Sequence, residues 1–416
     1  MSGKRRVVVT GTGILSPLGG GKKAIWEALC EGRSGIELMQ CFDTEPFDVK
    51  IAGEVKGFDA EEYFDRRTAR RLDRFTQFAI ITSEEALADS GIEMNKEDPR
   101  RVGCIIGTGI GGLHTIEEQH LNMLQRGVNR VSPIMIPKLM CNAAAGIVSM
   151  RLGCFGPSMS ISSACASGSN AIGEAFRSVR AGISDVMICG GSEAALTPMG
   201  VGGFQNMKAL SKQNDRPHEA CRPFDANRDG FVVAEGAGIL VLEELERARK
   251  RGAEIFAEVL GYGCATDAYH ITLPEPQGRG AKDAMLATFY DSGCVLDDVD
   301  YINAHGTGTP AGDDIEAKAI YSVFGEKAKD IPVSSTKSMI GHLLGASGPV
   351  ESIFCIWAMK HGVIPPTINF ETPDPECCGL DFVPNTAREI PVRLALNNSF
   401  GFGGHNVGLL LGRFEG

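Results

Sequence analysis

Short β-branched runs alternate with longer amphipathic ones along the whole chain. RRVVVTG, RVGCIIG, SMSIS, DVMICGG, GAGILVLEE, YINAH and VGLLLG read as strands, each a compact apolar run bounded by glycine or polar residues. Helical periodicity is expected over 66–90, 167–181, 278–292, 313–323 and 348–360. Strands and helices taken in turn predict an α/β architecture in which helices cover the sheets. A polar, basic run, ELERARKRGAEI, follows one strand and precedes another, FAEVLGYG. We therefore expect a boundary near residue 252, dividing 1–252 from 253–416. The two halves have similar make-up but no residue-level repeat.

Composition narrows the class. The 416 residues are 43% hydrophobic and 22% charged, as expected of a globular chain with a large buried core. No run approaches the roughly 20 apolar residues that cross a bilayer. The start, MSGKRRVVVTGTG, lacks an apolar signal region, so a cytoplasmic protein is expected. A net charge of −11 argues against nonspecific nucleic-acid binding. Thirteen cysteines are scattered without a C-x-x-C pair, which fits neither a zinc site nor a disulfide scaffold. One segment runs against the overall charge. In DRRTARRLDRFTQFA, Arg67, Arg70, Arg71 and Arg74 recur at helical spacing, with Leu72, Phe75 and Ala79 on the other side. That pattern fits either a solvated helix face or a docking face for an acidic partner.

Two glycine-rich turns invite a nucleotide reading. GTGIGG at 107–112 satisfies G-x-G-x-x-G after a strand, but no acidic residue closes a second strand about 20 residues on, as a ribose contact needs. GTGILS at 11–16 lacks the third glycine. No dinucleotide site is expected at either.

The segment PSMSISSACASGSNAIGEAFRSVRAG carries more chemistry. An apolar strand ends in small residues, and Cys165 stands where the chain turns into a helix whose buried side is Ala171, Ile172, Ala175, Phe176 and Val179. A cysteine there faces unpaired N–H groups and the positive end of the dipole, so a stabilised thiolate is expected. His305 in HGTGTPAGDDIE ends a strand and precedes a turn with Thr307 and Thr309. His342 in STKSMIGHLLGASG lies in a glycine-flanked turn five residues after Lys337. Functional side chains are commonly displayed in such turns. NNSFGFGGHN at 397–406 is expected to be a flexible loop, with Phe400 or Phe402 as a movable plug.

These segments together resemble the β-ketoacyl-acyl-carrier-protein synthases, most closely the elongating type II enzymes, from VVVTGTGILSPLG through RPFDANRDGFVVAEGAG to SFGFGGHN. The resemblance implies a thiolase-like fold, two related α/β halves in a five-layer α-β-α-β-α sandwich, usually a homodimer. It implies Cys165 as acyl-accepting nucleophile, and His305 and His342 as the histidines that assist decarboxylation. Lys337 and Glu351 match a charged pair that organises the site without touching substrate. Phe402 matches a gate whose N–H joins that of Cys165 in an oxyanion hole, and Ile110 matches a wall of the acyl pocket. Thr307, Thr309 and Phe400 are expected to meet substrate. No cofactor is expected, the substrates riding on the phosphopantetheine of acyl carrier protein. Arg67, Arg70, Arg71 and Arg74 become the candidate carrier-docking face, with Arg130 and Lys208 as additions. His405 stands where other members carry threonine, a departure that bears on fine details of the loop.

Three other readings compete. A degradative thiolase would carry a second cysteine near the C-terminus, and none follows Cys378. A starter-unit or plant polyketide synthase pairs Cys and His with asparagine, whereas this chain offers a second histidine. A noncatalytic, chain-length-determining partner subunit would lack the nucleophile.

Overall fold

The structure, a computed structural model, describes residues 5–416; the first four residues of the basic start lie outside them. Ten strands form the main sheet. In chain order they are β1 (Val7–Leu15), β2 (Val102–Gly107), β3 (Ser158–Ile161), β4 (Val186–Glu193), β5 (Gly236–Glu244), β6 (Ala257–Thr266), β7 (Tyr301–Asn303), β8 (Val333–Ser334), β9 (Leu394–Gly401) and β10 (His405–Gly412). The helices that bear on the site are α1 (Arg66–Arg71), α2 (Arg74–Ser90), α3 (Ala143–Leu152), α4 (Ser167–Arg180), α5 (Arg279–Ser292), α6 (Pro310–Phe324) and α7 (Ser347–His361).

The strand order states the duplication that the residues hide. The first five strands lie as β3-β2-β4-β5-β1, and the second five as β8-β7-β9-β10-β6, the same order shifted by five. The senses match too. β2 is parallel to β3 and β4, and β5 runs antiparallel to β4 and β1. In the second half β7 is parallel to β8 and β9, and β10 is antiparallel to β9 and β6. The two sheets meet where β1 pairs with β6 over Val7–Val9.

Side chains alternate across these strands, so each sheet feeds two cores. Leu240 and Leu242 of β5 face inward to a core shared with α4, α7 and the second sheet, while Ile239 and Val241 face outward to Phe75, Phe78 and Ala79 of α2. On the far side, Ile302, Leu396 and Leu410 pack against Met285 and Phe289 of α5 and Ile320 of α6. The result is the five-layer α-β-α-β-α sandwich of a thiolase-like fold. A helix between two sheets has no solvent face. Accordingly α7 is buried at every residue from Ser347 to Met359.

Two expectations are corrected. The single helix expected over 66–90 is two helices, because Asp65 and Asp73 each cap a start with their carboxylates and Leu72 is extended. The expected flexible loop over 397–406 is largely strand. Asn397–Gly401 completes β9, His405 opens β10, and a turn through Phe402, Gly403 and Gly404 joins them as a hairpin. Glycines at positive φ (Gly403 and Gly404) make that turn, and the glycine at 401 sits in the ladder opposite His405.

Candidate active site

The equivalent loops of the two halves converge on one point. β3 ends at Ile161, and the chain turns through Ser163–Ala166 into α4, with Ala164 held at φ +50°. A non-glycine residue in that region is strained, as at other nucleophile-bearing turns. The matching loop of the second half, between β8 and α7, carries His342. Its Nε2 lies 3.1 Å from Cys165 Sγ and its Nδ1 lies 2.9 Å from Ser347 Oγ. His305 follows β7 and stands edge-on to His342, ring centroids 5.2 Å apart. Its backbone N–H and that of Gly306 donate to Glu316, which anchors the loop to α6.

The environment of Cys165 corrects the expected thiolate. Burial pushes the thiol up to about 12, and the nearby Lys337 cation and the N–H groups of Phe402 and Cys165 offset only part of that rise. Desolvation of the charged form outweighs the helix terminus here. Both histidines are held well below their usual value, first by burial and then by repulsion from Lys337. The resting trio is therefore a thiol and two neutral imidazoles. His305 Nδ1 is buried without a partner, and the ring lines the cavity.

Lys337 and Glu351 form a fully buried pair at 2.5 Å. Neither lines the cavity around Cys165. Their field reaches the site: the ammonium favours the thiolate and disfavours protonated imidazole.

The cavity holds about 450 Å³ and brings together Cys165, His305, His342, Ile110, Phe400 and Phe402, with Thr307, Thr309 and Lys208 also on its lining. The backbone N–H groups of Cys165 and Phe402 favour the thiolate and so lie on its side of the cavity, where an oxygen bound at the reacting carbon would find two donors. Only glycine permits that approach at 401: a Cβ there would lie 2.8 Å from the Ser163 carbonyl oxygen and 3.1 Å from the Cys165 nitrogen. The Thr307 and Thr309 hydroxyls lie 3.0 Å apart.

Sequence reasoning missed Glu193. It closes β4, is wholly buried, and accepts from Gly109 N–H, Ile110 N–H, the Thr108 hydroxyl and Gly345 N–H. The GTGIGG turn thus already holds an anion, the protein's own, where a nucleotide phosphate would sit. The acid at the end of a β4 that is otherwise apolar and small was the one available signal.

The docking candidates divide. Arg67, Arg70 and Arg71 are exposed on α1, and Arg130 and Lys208 are exposed as well. Arg74 does not belong with them. Its guanidinium forms a fork on Glu235, at 2.8 and 2.6 Å, and lies over the rings of Phe58 and Phe78. The break at Leu72–Asp73 turns it inward as a structural residue. His405 is exposed at the start of β10, on the hairpin that carries Phe402.

Comparison with known proteins agrees across the chain. The Beta-ketoacyl synthase N-terminal domain matches residues 4–248, and the Beta-ketoacyl synthase C-terminal domain matches 256–371. A 3-oxoacyl-[acyl-carrier-protein] synthase 2 of Staphylococcus aureus (strain COL) is 50% identical over 415 residues, 100% of both chains. A beta-ketoacyl synthase from Burkholderia phymatum superposes with a TM-score of 0.91 at 37% identity, covering 99% of this chain and 100% of that one. A chain from a type II polyketide complex, an acyl-carrier protein with its ketosynthase bound to a hexaketide, gives 0.91 at 34% identity and the same coverage.

Proposed function

The chain belongs to the beta-ketoacyl synthase family, and we propose from that premise that it elongates fatty acids by decarboxylating Claisen condensation on acyl carrier protein. The observation that carries the reading is the meeting of Cys165, His305 and His342 in one cavity, with His342 Nε2 at the sulfur.

An acyl thioester enters, and Cys165 Sγ attacks its carbonyl while His342 Nε2 takes the thiol proton. The two N–H groups hold the oxyanion. The intermediate collapses, the carrier thiolate leaves, and it recovers the proton from His342. Malonyl carrier follows. Nε2–H of His305 and of His342 donate to its thioester oxygen, carbon dioxide departs, and the electron pair becomes an enolate. That carbanion attacks the acyl-Cys165 carbonyl, the cysteine leaves as a thiolate that takes a proton from solvent to restore the resting thiol, and a β-ketoacyl thioester two carbons longer is released. His342 must accept a proton in the first half and donate in the second. The Ser347 hydroxyl at Nδ1 serves both tautomers, since it can accept or donate. These steps use side chains and backbone donors alone, the substrates being carried on phosphopantetheine.

Exposed Arg67, Arg70, Arg71, Arg130 and Lys208 meet the acidic carrier, Lys208 at the cavity itself. A homodimer is part of the same reading, supported by edge strand β3 and by Met150, Phe155 and Met159, which are apolar and exposed around it. So is a reducing, cytoplasmic setting, supported by cysteines that are all free. No described helix is long and apolar enough to cross a membrane. Units of 1–252 and 253–416 would each contribute one half of the site. The noncatalytic-subunit alternative is not favoured, because the nucleophile stands in its full setting. Incubation with acyl and malonyl carrier thioesters should yield β-ketoacyl carrier, and Cys165→Ala should yield none. Equal product from both would reject the reading.

A further inference from the structure

The mechanism above gives no task to Glu193, a buried ionisable group behind the Ile110 wall of the site. Its carboxylate is fully buried, yet no lysine or arginine among the described residues pairs with it. A buried carboxylate without a cation is costly, so its partners must be well placed. They come from both halves of the molecule. Oε1 takes the Thr108 hydroxyl at 2.8 Å and Ile110 N–H at 3.1 Å. Oε2 takes Gly109 N–H at 2.7 Å and Gly345 N–H at 3.0 Å. Ile110 is a wall of the cavity, and Gly345 is three residues beyond His342.

The packing around the carboxylate leaves no slack. A Cβ on Gly345 would lie 2.6 Å from Gly109 N and 2.7 Å from Glu193 Oε2. A Cβ on Gly109 would lie 3.1 Å from Glu193 Oε2 and 3.3 Å from the carbonyl oxygen of Ala164, the residue before the nucleophile. Leu344, between His342 and Gly345, is held at φ +48°. The Gly345 N–H bond to Glu193 pins the backbone immediately after this strained residue.

We propose that Glu193 is a positioning residue that locks the Ile110 wall of the acyl pocket to the loop carrying His342. Acyl-chain fit and malonyl decarboxylation are thereby set by one carboxylate. The proposal rests on the condensing function above and deepens it, since Glu193 touches no reacting atom. Its negative charge also opposes ionisation of Cys165, so neutralising it should ease that ionisation.

The test uses the full chain with Glu193→Gln, which keeps the shape but replaces one acceptor oxygen with an NH₂ that faces N–H donors. Thr108→Val, which removes one donor to Glu193 and the acceptor of Gly111 N–H, is the companion should the first variant fold poorly. Rates are normalised to the fraction of reactive Cys165. We expect the ratio of long-chain to short-chain acyl transfer to change by about threefold or more, and malonyl decarboxylation to fall with it. Thr108→Val should shift both in the same direction by less. Iodoacetamide alkylation of Cys165, which needs no substrate, should be about threefold faster at pH 8 in Glu193→Gln. A variant that is folded but keeps the wild-type ratio, decarboxylation rate and alkylation rate overturns the proposal, even if its thermal midpoint drops. A wild type that takes no acyl group while the alkylation difference persists would instead overturn the condensing reading.

Discussion

His342 Nε2 lies 3.1 Å from Cys165 Sγ, and the opposite nitrogen of the same ring lies 2.9 Å from Ser347 Oγ at the start of the central helix α7. The nucleophile belongs to the first half of the duplicated fold and the histidine to the second. They meet because each lies in the loop between the third strand of its half and the central helix that follows. Duplication thus brings two chemically different loops to one place.

His305 and His342 are expected to separate the two half-reactions. His305 stands beside His342, and it is His342 whose Nε2 lies at the thiol, so His305→Ala should keep acyl transfer and lose malonyl decarboxylation by about a hundredfold to a thousandfold. His342→Ala should lose both. Radioactive carbon dioxide release, measured beside acyl uptake, makes the distinction.

Ser347→Ala removes the group that supports either tautomer of His342. Condensation should slow by about tenfold or more, with binding of the carrier substrates unchanged. Steady-state kinetics should place the loss in kcat rather than KM.

Lys337 holds both histidines neutral by repulsion, in addition to burial. Without it their pKa values rise, so protonation begins at higher pH and the acid limb of the decarboxylation profile moves up. Lys337→Met should show that shift. It also strands the buried Glu351 carboxylate, at about 3–5 kcal/mol. Lys337→Met combined with Glu351→Gln should regain most of the thermal midpoint and keep the displaced pH limb. In the wild type the histidines titrate near 6.5 only when unfolded. The stability they contribute is fully present above that value and falls as pH drops through it.

Replacing Arg67, Arg70 and Arg71 with alanine should raise KM for carrier-bound substrate and leave turnover of small soluble thioesters unchanged, with weaker dependence on salt. Arg74→Ala should behave differently. It breaks a fork on a buried carboxylate and should lower the thermal midpoint.

Much of this was legible because the chemistry sits in short segments. Cys165, His305 and His342 each follow a strand in a turn rich in small residues, and each reached the cavity as expected. The acid at 193 was illegible because its donors lie at 108–110 and 345, brought together only by the fold. Glycine content misled at 397–401, where close approach to Cys165, and not flexibility, requires it. A helix N-terminus suggested a thiolate, but burial at Cys165 is a tertiary property that local pattern cannot report. The strand order, identical in the two halves, survived where residue similarity between them did not.

The most direct test is intact mass after incubation with a long-chain acyl carrier thioester, comparing wild type with Cys165→Ala. The account predicts one acyl adduct on wild type, none on the variant, and discharge of the adduct when malonyl carrier is added. An unmodified wild type, or equal acylation of Cys165→Ala, would contradict it.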